Sequence, residues 1–128
     1  MSSIIQKNTI LVPIPAPNCK HLFIVLTAPK GQPPVVVMVN ITTRRPTSDC
    51  TVVLTPSDHP FVKHESVVAF EHAMTFEVSK LENGLQKGLL KKYPDIDDAL
   101  FEVIKRGLLN SPRTPQRIKT YCLECFRI

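Results

Sequence analysis

An α+β fold, a small curved antiparallel sheet or barrel followed by helices, is what this sequence predicts, on three observations. About six short strand-like runs fall between residues 8 and 78, joined by tight turns with no helical periodicity among them. After Val78 the apolar pattern changes to the three-and-four-residue spacing of helices. A length of 128 residues, 43% of them apolar, supports one core and hence one domain.

The elements follow in order. Asn8 to Ile14 reads as a short strand whose end Pro13 confines to a sheet edge or bulge. Pro15-Ala16-Pro17-Asn18 is then a stiff extended loop. Leu22 to Leu26 is a continuous apolar run of strand length, the pattern of a strand buried on both faces. Pro29 to Pro34 supplies a turn, and Val35 to Ile41, the most β-branched segment, is placed at the centre of the sheet. A polar loop, Thr42 to Asp49, carries the adjacent Arg44 and Arg45. Strands are expected at Cys50 to Leu54, at Ser66 to Phe70 and at the alternating Met74 to Val78.

Ser79 is expected to cap a helix running through Leu90, with Leu81, Leu85 and Leu89 along it and Gly84 and Gly88 weakening it. The clearest helix has Ile96, Ala99, Leu100, Val103, Ile104 and Leu108 on one face. Pro94, Asp95, Asp97 and Asp98 suit its first turn, and Lys105 and Arg106 its C-terminal end. A last helix starts at Thr114-Pro115 and buries Ile118, Tyr121, Cys122, Cys125 and Phe126. Residues 1–128 thus form a single domain, with a β part over 8–78 and a helical extension over 79–128.

No apolar run approaches the ~18 residues of a membrane span. The N-terminus has no basic region followed by an apolar segment, so a cytoplasmic location is expected. The four cysteines are then reduced thiols. Cys122 and Cys125 have C-x-x-C spacing, but no second pair completes a tetrahedral zinc site, and their place on an apolar helix face points to core packing. The net charge of +5 is uneven: residues 79–128 carry ten Lys/Arg against six Asp/Glu, and residues 1–78 six against five. Such an excess suits a phosphate-bearing partner or a solvated helix surface.

Between two apolar runs, the segment 58–64 collects Asp58, His59, Lys63 and His64. Cleaving RNA without a metal needs a base for the 2′-hydroxyl proton, an acid for the leaving oxygen and a cation for the phosphoryl charge. His59 and His64 are the candidate base and acid, Lys63 or Lys20 the cation, and Asp58 a carboxylate fixing an imidazole tautomer. The competing reading is a polar turn, with Asp58 bonding its own backbone and His59 filling a half-buried niche. A metal held by His59, His64 and Asp58 would need the loop to fold back on itself, and nothing else completes its coordination sphere. No cofactor is expected.

Four pieces of the chain carry a family resemblance: Phe23-Ile24-Val25-Leu26-Thr27, Val36-Val37-Met38-Val39-Asn40-Ile41-Thr42-Thr43, Glu65-Ser66-Val67-Val68, and Val78-Ser79-Lys80-Leu81 leading to Gly88-Leu89-Leu90. In order and spacing, residues 20–90 resemble the PemK/MazF-like toxin family, growth-inhibiting endoribonucleases of toxin–antitoxin modules built on an SH3-like barrel. The resemblance implies an SH3-like β-barrel, cleavage of single-stranded RNA, a homodimer and an antitoxin-like inhibitory protein as partner. It places Thr42 and Thr43 at the end of the central strand near His21, which makes His21 and Thr42 catalytic candidates. Lys20 and Thr43 become candidate RNA contacts. Read from the residues alone, Arg44 and Arg45 are a solvated loop first and candidate RNA phosphate contacts second. The chain departs from the family in three places. Lys20-His21 stands where a basic residue and a proline are usual, the family's N-terminal opening is replaced by Lys7-Asn8-Thr9-Ile10, and residues 91–128 extend past the usual end. A noncatalytic protein- or nucleic-acid-binding module on the same barrel is the alternative, with Phe61 and Val62 in an interaction surface. The strand ends and the 58–64 loop must converge in space for the catalytic reading to hold.

Overall fold

The computed structural model describes residues 4–13 and 20–126, without the side chains of Pro13 and Lys20. The expected loop at Pro15 to Asn18, Cys19 and the Lys20 side chain therefore lie outside the described residues. Among the described residues there are six strands and three helices: β1 (Thr9–Pro13), β2 (Lys20–Val25), β3 (Val35–Thr43), β4 (Val53–Leu54), β5 (Ser66–Glu77), α1 (Val78–Gln86), β6 (Lys91–Tyr93), α2 (Asp98–Asn110) and α3 (Gln116–Cys125). The strands make one antiparallel sheet in the order β4-β5-β3-β2-β1-β6. It is curved nearly to a half-barrel, with β4 and β6 as its edges, and the C-terminal helices follow it: the α+β architecture expected.

The two most apolar runs lie side by side because both of their faces are covered. Leu22 and Ile24 of β2 and Val37, Val39 and Ile41 of β3 pack with Leu100, Ile104 and Leu108 of α2 and Ile118 and Cys122 of α3. The alternate residues Val25, Val36 and Met38 pack on the opposite face with Val78 and Leu81 of α1. Alternation along a strand sends successive side chains to opposite faces, so an unbroken apolar run demands two layers. α1 supplies one and the α2–α3 pair the other.

β5 joins two segments that the sequence separates. Its pairing with β3 shifts between Met38↔Met74 and Asn40↔Ala69, so that Val39 stands opposite Phe70, Glu71, His72 and Ala73. The bulge turns Phe70 and Ala73 into the core, leaves Glu71 and His72 exposed, and bends the strand. Phe70 then meets α2 at Gly107, where an added Cβ would lie 2.5 Å from Val52 Cγ2 and 2.9 Å from Phe70 Cζ. Gly107→Ala is therefore expected to destabilise the fold by about 1–2 kcal/mol in denaturant unfolding. Overpacking of about 1–3 kcal/mol outweighs a helix-propensity gain of about 1.

Several local expectations are corrected. β6 falls between the two expected helices, where no element was assigned, and it pairs with β1 through Thr9↔Tyr93, Ile10↔Lys92 and Leu11↔Lys91. α1 ends at Gln86, its N-cap is Glu77 rather than Ser79, and Gly88 at φ +76° turns the chain away, leaving Leu89 exposed. On α2, Ala99 and Val103 face solvent, and Phe101 and Gly107 take buried places. Of Cys50 to Leu54, only Val53 and Leu54 pair as strand.

Asp97 caps α2 by accepting from the Leu100 N–H at 2.7 Å. At its other end, Ser111 donates to the buried Asp49 carboxylate, which also accepts from Thr51 N at 2.9 Å and Thr51 Oγ1 at 2.5 Å. Burial opposes the charge on Asp49, but these bonds and the Arg113 guanidinium outweigh it and hold the carboxyl below its ordinary value. A depressed pKa contributes stability at pH above the ordinary carboxylate value and loses it as pH falls through the depressed one. Unfolding free energy should thus drop below about pH 4, and Asp49→Asn should flatten that part of the pH–stability curve.

Of the C-x-x-C pair, Cys122 belongs to the packed core and Cys125 is half-buried. Cys122 is fully buried, and burial, with Cys125 nearby, pushes its thiol up to about 12. A thiol held protonated is a poor metal ligand. Among the described residues Cys50, Cys122 and Cys125 are free thiols, and no helix is long and apolar enough to cross a membrane.

Candidate active site

The loop from Thr55 to Glu65, between β4 and β5, is shaped by two devices. The first is a turn: Asp58 Oδ2 accepts from Thr55 N at 2.7 Å and Thr55 Oγ1 at 3.2 Å, and Asp58 N donates to Thr55 O at 2.9 Å. The second is His59, a residue only 3% exposed. Its Nδ1 accepts from Phe61 N–H at 3.0 Å, and its Nε2 lies 2.6 Å from Pro94 O, to which it donates. Both ring nitrogens are consumed. His59 bolts the loop to the segment between β6 and α2, and sets Phe61 edge-on to Tyr93 at 5.8 Å between ring centroids.

Beside that bolt lies a cavity of about 470 Å³, reached by five segments of the chain. β2 brings His21, the end of β3 brings Ile41, Thr42 and Thr43, the loop brings Pro60 to His64, β5 opens with Ser66, and β6 supplies Tyr93. The β2–β3 pairing stops at Leu22↔Ile41, so His21 and Thr42 stand beyond the last paired residues, where the strands are free to part. Pairing of Thr43 with Ser66 carries β3 to the mouth of the loop. There His64 Nε2 lies 2.8 Å from Thr43 Oγ1, and Ser66 Oγ donates to His64 O at 3.0 Å. In the tautomer that donates Nε2–H to Thr43, the His64 lone pair sits on Nδ1, the state of a base.

Of the residues expected at a site, the structure gathers His21, Thr42, Thr43, Lys63 and His64 around one cavity. Asp58 and His59 are corrections. The Asp58 carboxylate is spent on the Thr55 turn and fixes no imidazole. His59 is walled into the loop's anchor with no nitrogen left for a substrate. Nor do these residues gather a metal: among the described residues no group of three or more His, Cys, Asp or Glu is placed to hold one. Arg44 pairs with Glu65 at 2.5 Å, which raises its guanidinium above its ordinary value, and Arg45 is exposed in the following turn. Neither lines the cavity.

Tyr93, Ser66 and Ile41 are additions. Ser66 was placed only as the start of a strand, and Tyr93 belongs to a strand that carries no periodicity of its own. The polar groups of the lining are two imidazoles, one ammonium, the aliphatic hydroxyls of Thr42, Thr43 and Ser66 and the phenol of Tyr93, and none of the described lining residues is acidic. Such a lining suits an anion, and the Phe61–Tyr93 wall offers an apolar surface beside it. No protein-family model matches this chain, and no curated protein matches it.

Proposed function

We propose that this protein is a toxin-like endoribonuclease that cleaves single-stranded RNA without a metal, in the cytoplasm, as a homodimer restrained by an antitoxin-like protein. One observation carries the reading: His21, Thr42, Lys63 and His64, from three separate segments, surround one cavity whose described lining holds no carboxylate. His64 takes the proton from a 2′-hydroxyl, whose oxygen attacks the adjacent phosphorus. Lys63 gives a proton to the departing 5′ oxygen as its bond to phosphorus breaks. Thr42 and His21 lie against the phosphate, where hydrogen-bond donors stabilise the charge that gathers on its oxygens. Phe61 and Tyr93 give a neighbouring base an apolar face. The products are a 2′,3′-cyclic phosphate and a 5′-hydroxyl.

The same aromatic wall favours a second reading, a module that binds nucleic acid or a peptide in this cavity without turnover. Expression in a host separates the two. A ribonuclease arrests growth, and the double variant His21→Ala, His64→Ala relieves the arrest. Normal growth with the folded parent protein present would remove the toxin reading and leave the binding module.

A further inference from the structure

His21 has a buried neighbour whose amide is only half used. Asn40, one residue before Ile41 on β3, is 4% exposed. Its Nδ2 lies 3.3 Å from His21 Nδ1, and its Oδ1 is shielded from solvent with no hydrogen-bond partner among the described residues. The same ring nitrogen lies 3.4 Å from the Ile41 carbonyl oxygen. A donor and an acceptor therefore compete for Nδ1.

If Nδ1 carries the ring proton, it donates to Ile41 O, and the Asn40 amide faces it N–H to N–H. Rotating the amide would bring Oδ1 to that proton, but it would send the NH₂ group, with two donors, into the unpartnered place. If Nδ1 is bare, it accepts from Asn40 Nδ2, and only a carbonyl oxygen stays unpartnered. Buried donors are left orphaned more rarely than carbonyl oxygens are left under-satisfied. The second arrangement is the less costly. A neutral imidazole with a bare Nδ1 carries its proton on Nε2, and the described hydrogen bonds of His21 leave Nε2 to act towards the cavity that the ring lines.

We propose that Asn40 is a positioning residue that fixes His21 as the Nε2–H tautomer, so that His21 serves the cavity as a hydrogen-bond donor rather than as a base. The role of that donor rests on the ribonuclease reading: Nε2–H holds a phosphoryl oxygen, as a neutral imidazole can, and the proton transfers fall to His64 and Lys63. Asn40 itself touches no substrate and acts through His21.

The test is the ¹⁵N NMR spectrum of the His21 ring at pH 8, above the ordinary histidine range, in the parent protein and in Asn40→Asp and Asn40→Leu. The parent should show Nε2 protonated and Nδ1 bare. Asn40→Asp puts a carboxylate against Nδ1 and should move the proton there, and Asn40→Leu should leave a mixture of tautomers. In the cleavage assay Asn40→Asp should then lower kcat about as far as His21→Ala does, on the order of 10²–10³-fold for a lost donor, with KM little changed. A parent ring protonated on Nδ1, or one already mixed, overturns the proposal, and that spectrum decides it even if neither variant folds. If the parent cleaves no RNA, the ribonuclease reading falls while the spectrum still decides the tautomer.

Discussion

His64→Ala should lower the rate of RNA cleavage by about 10²–10⁴-fold, the usual loss when a positioned base is removed, and leave thermal stability essentially unchanged. The side chain is exposed and its described side-chain contact is the 2.8 Å bond to the Thr43 hydroxyl. A surface substitution away from packed features is worth within about 0.5 kcal/mol. Loss of rate without loss of fold is what separates a group that acts on substrate from one that holds the loop. Matching melting curves and single-turnover rates on the same RNA read both quantities. Should the rate hold, His64 is not the base.

The neighbouring histidine should behave in the opposite way. His59→Ala removes the acceptor of the half-buried Phe61 N–H and one of two donors to Pro94 O, which keeps Thr9 Oγ1 at 2.8 Å. An orphaned buried group costs about 1–3 kcal/mol, and the space left by the ring adds to that. We expect a total loss of about 2–4 kcal/mol, a large share of the ~5–15 kcal/mol that holds a domain together. Activity should fall with the fraction folded, because Phe61 and the loop lose their anchor, and should recover under conditions that restore folding. A full-rate, fully stable His59→Ala protein would contradict the assignment of this residue as a structural bolt.

The contrast shows what the sequence can carry. His59 and His64 look alike in it: each is a histidine in a polar loop, five positions apart. What divides them is Pro94 O, thirty-five residues beyond His59, which receives one ring and not the other. A contact of that range leaves no local signal. The convergence of His21, Thr42 and Thr43 with the loop was legible, because consecutive apolar runs place β2 and β3 side by side and their polar ends follow directly.

The sheet was legible for the same reason and to the same depth. Leu22 to Leu26 and Val35 to Val39 are apolar at every position, and only a two-sided layer can bury them. β5 was read as two strands because Glu71-His72 interrupts its apolar run, and a bulge opposite Val39 absorbs that interruption. Lys91-Lys92-Tyr93 has no period of strand or helix. It is a strand because the open edge of β1 offers it partners, and so Tyr93 reaches the cavity from a segment that nothing local marks out.

The central claim is that the cavity between the ends of β2 and β3 and the 60–64 loop cleaves RNA with its own side chains. Incubating a long single-stranded RNA with the protein in excess EDTA, and identifying the new ends, tests it most directly. Fragments bearing 2′,3′-cyclic phosphate and 5′-hydroxyl ends, lost in the folded His64→Ala variant, are the predicted result. An RNA that stays intact with the folded parent protein would contradict it.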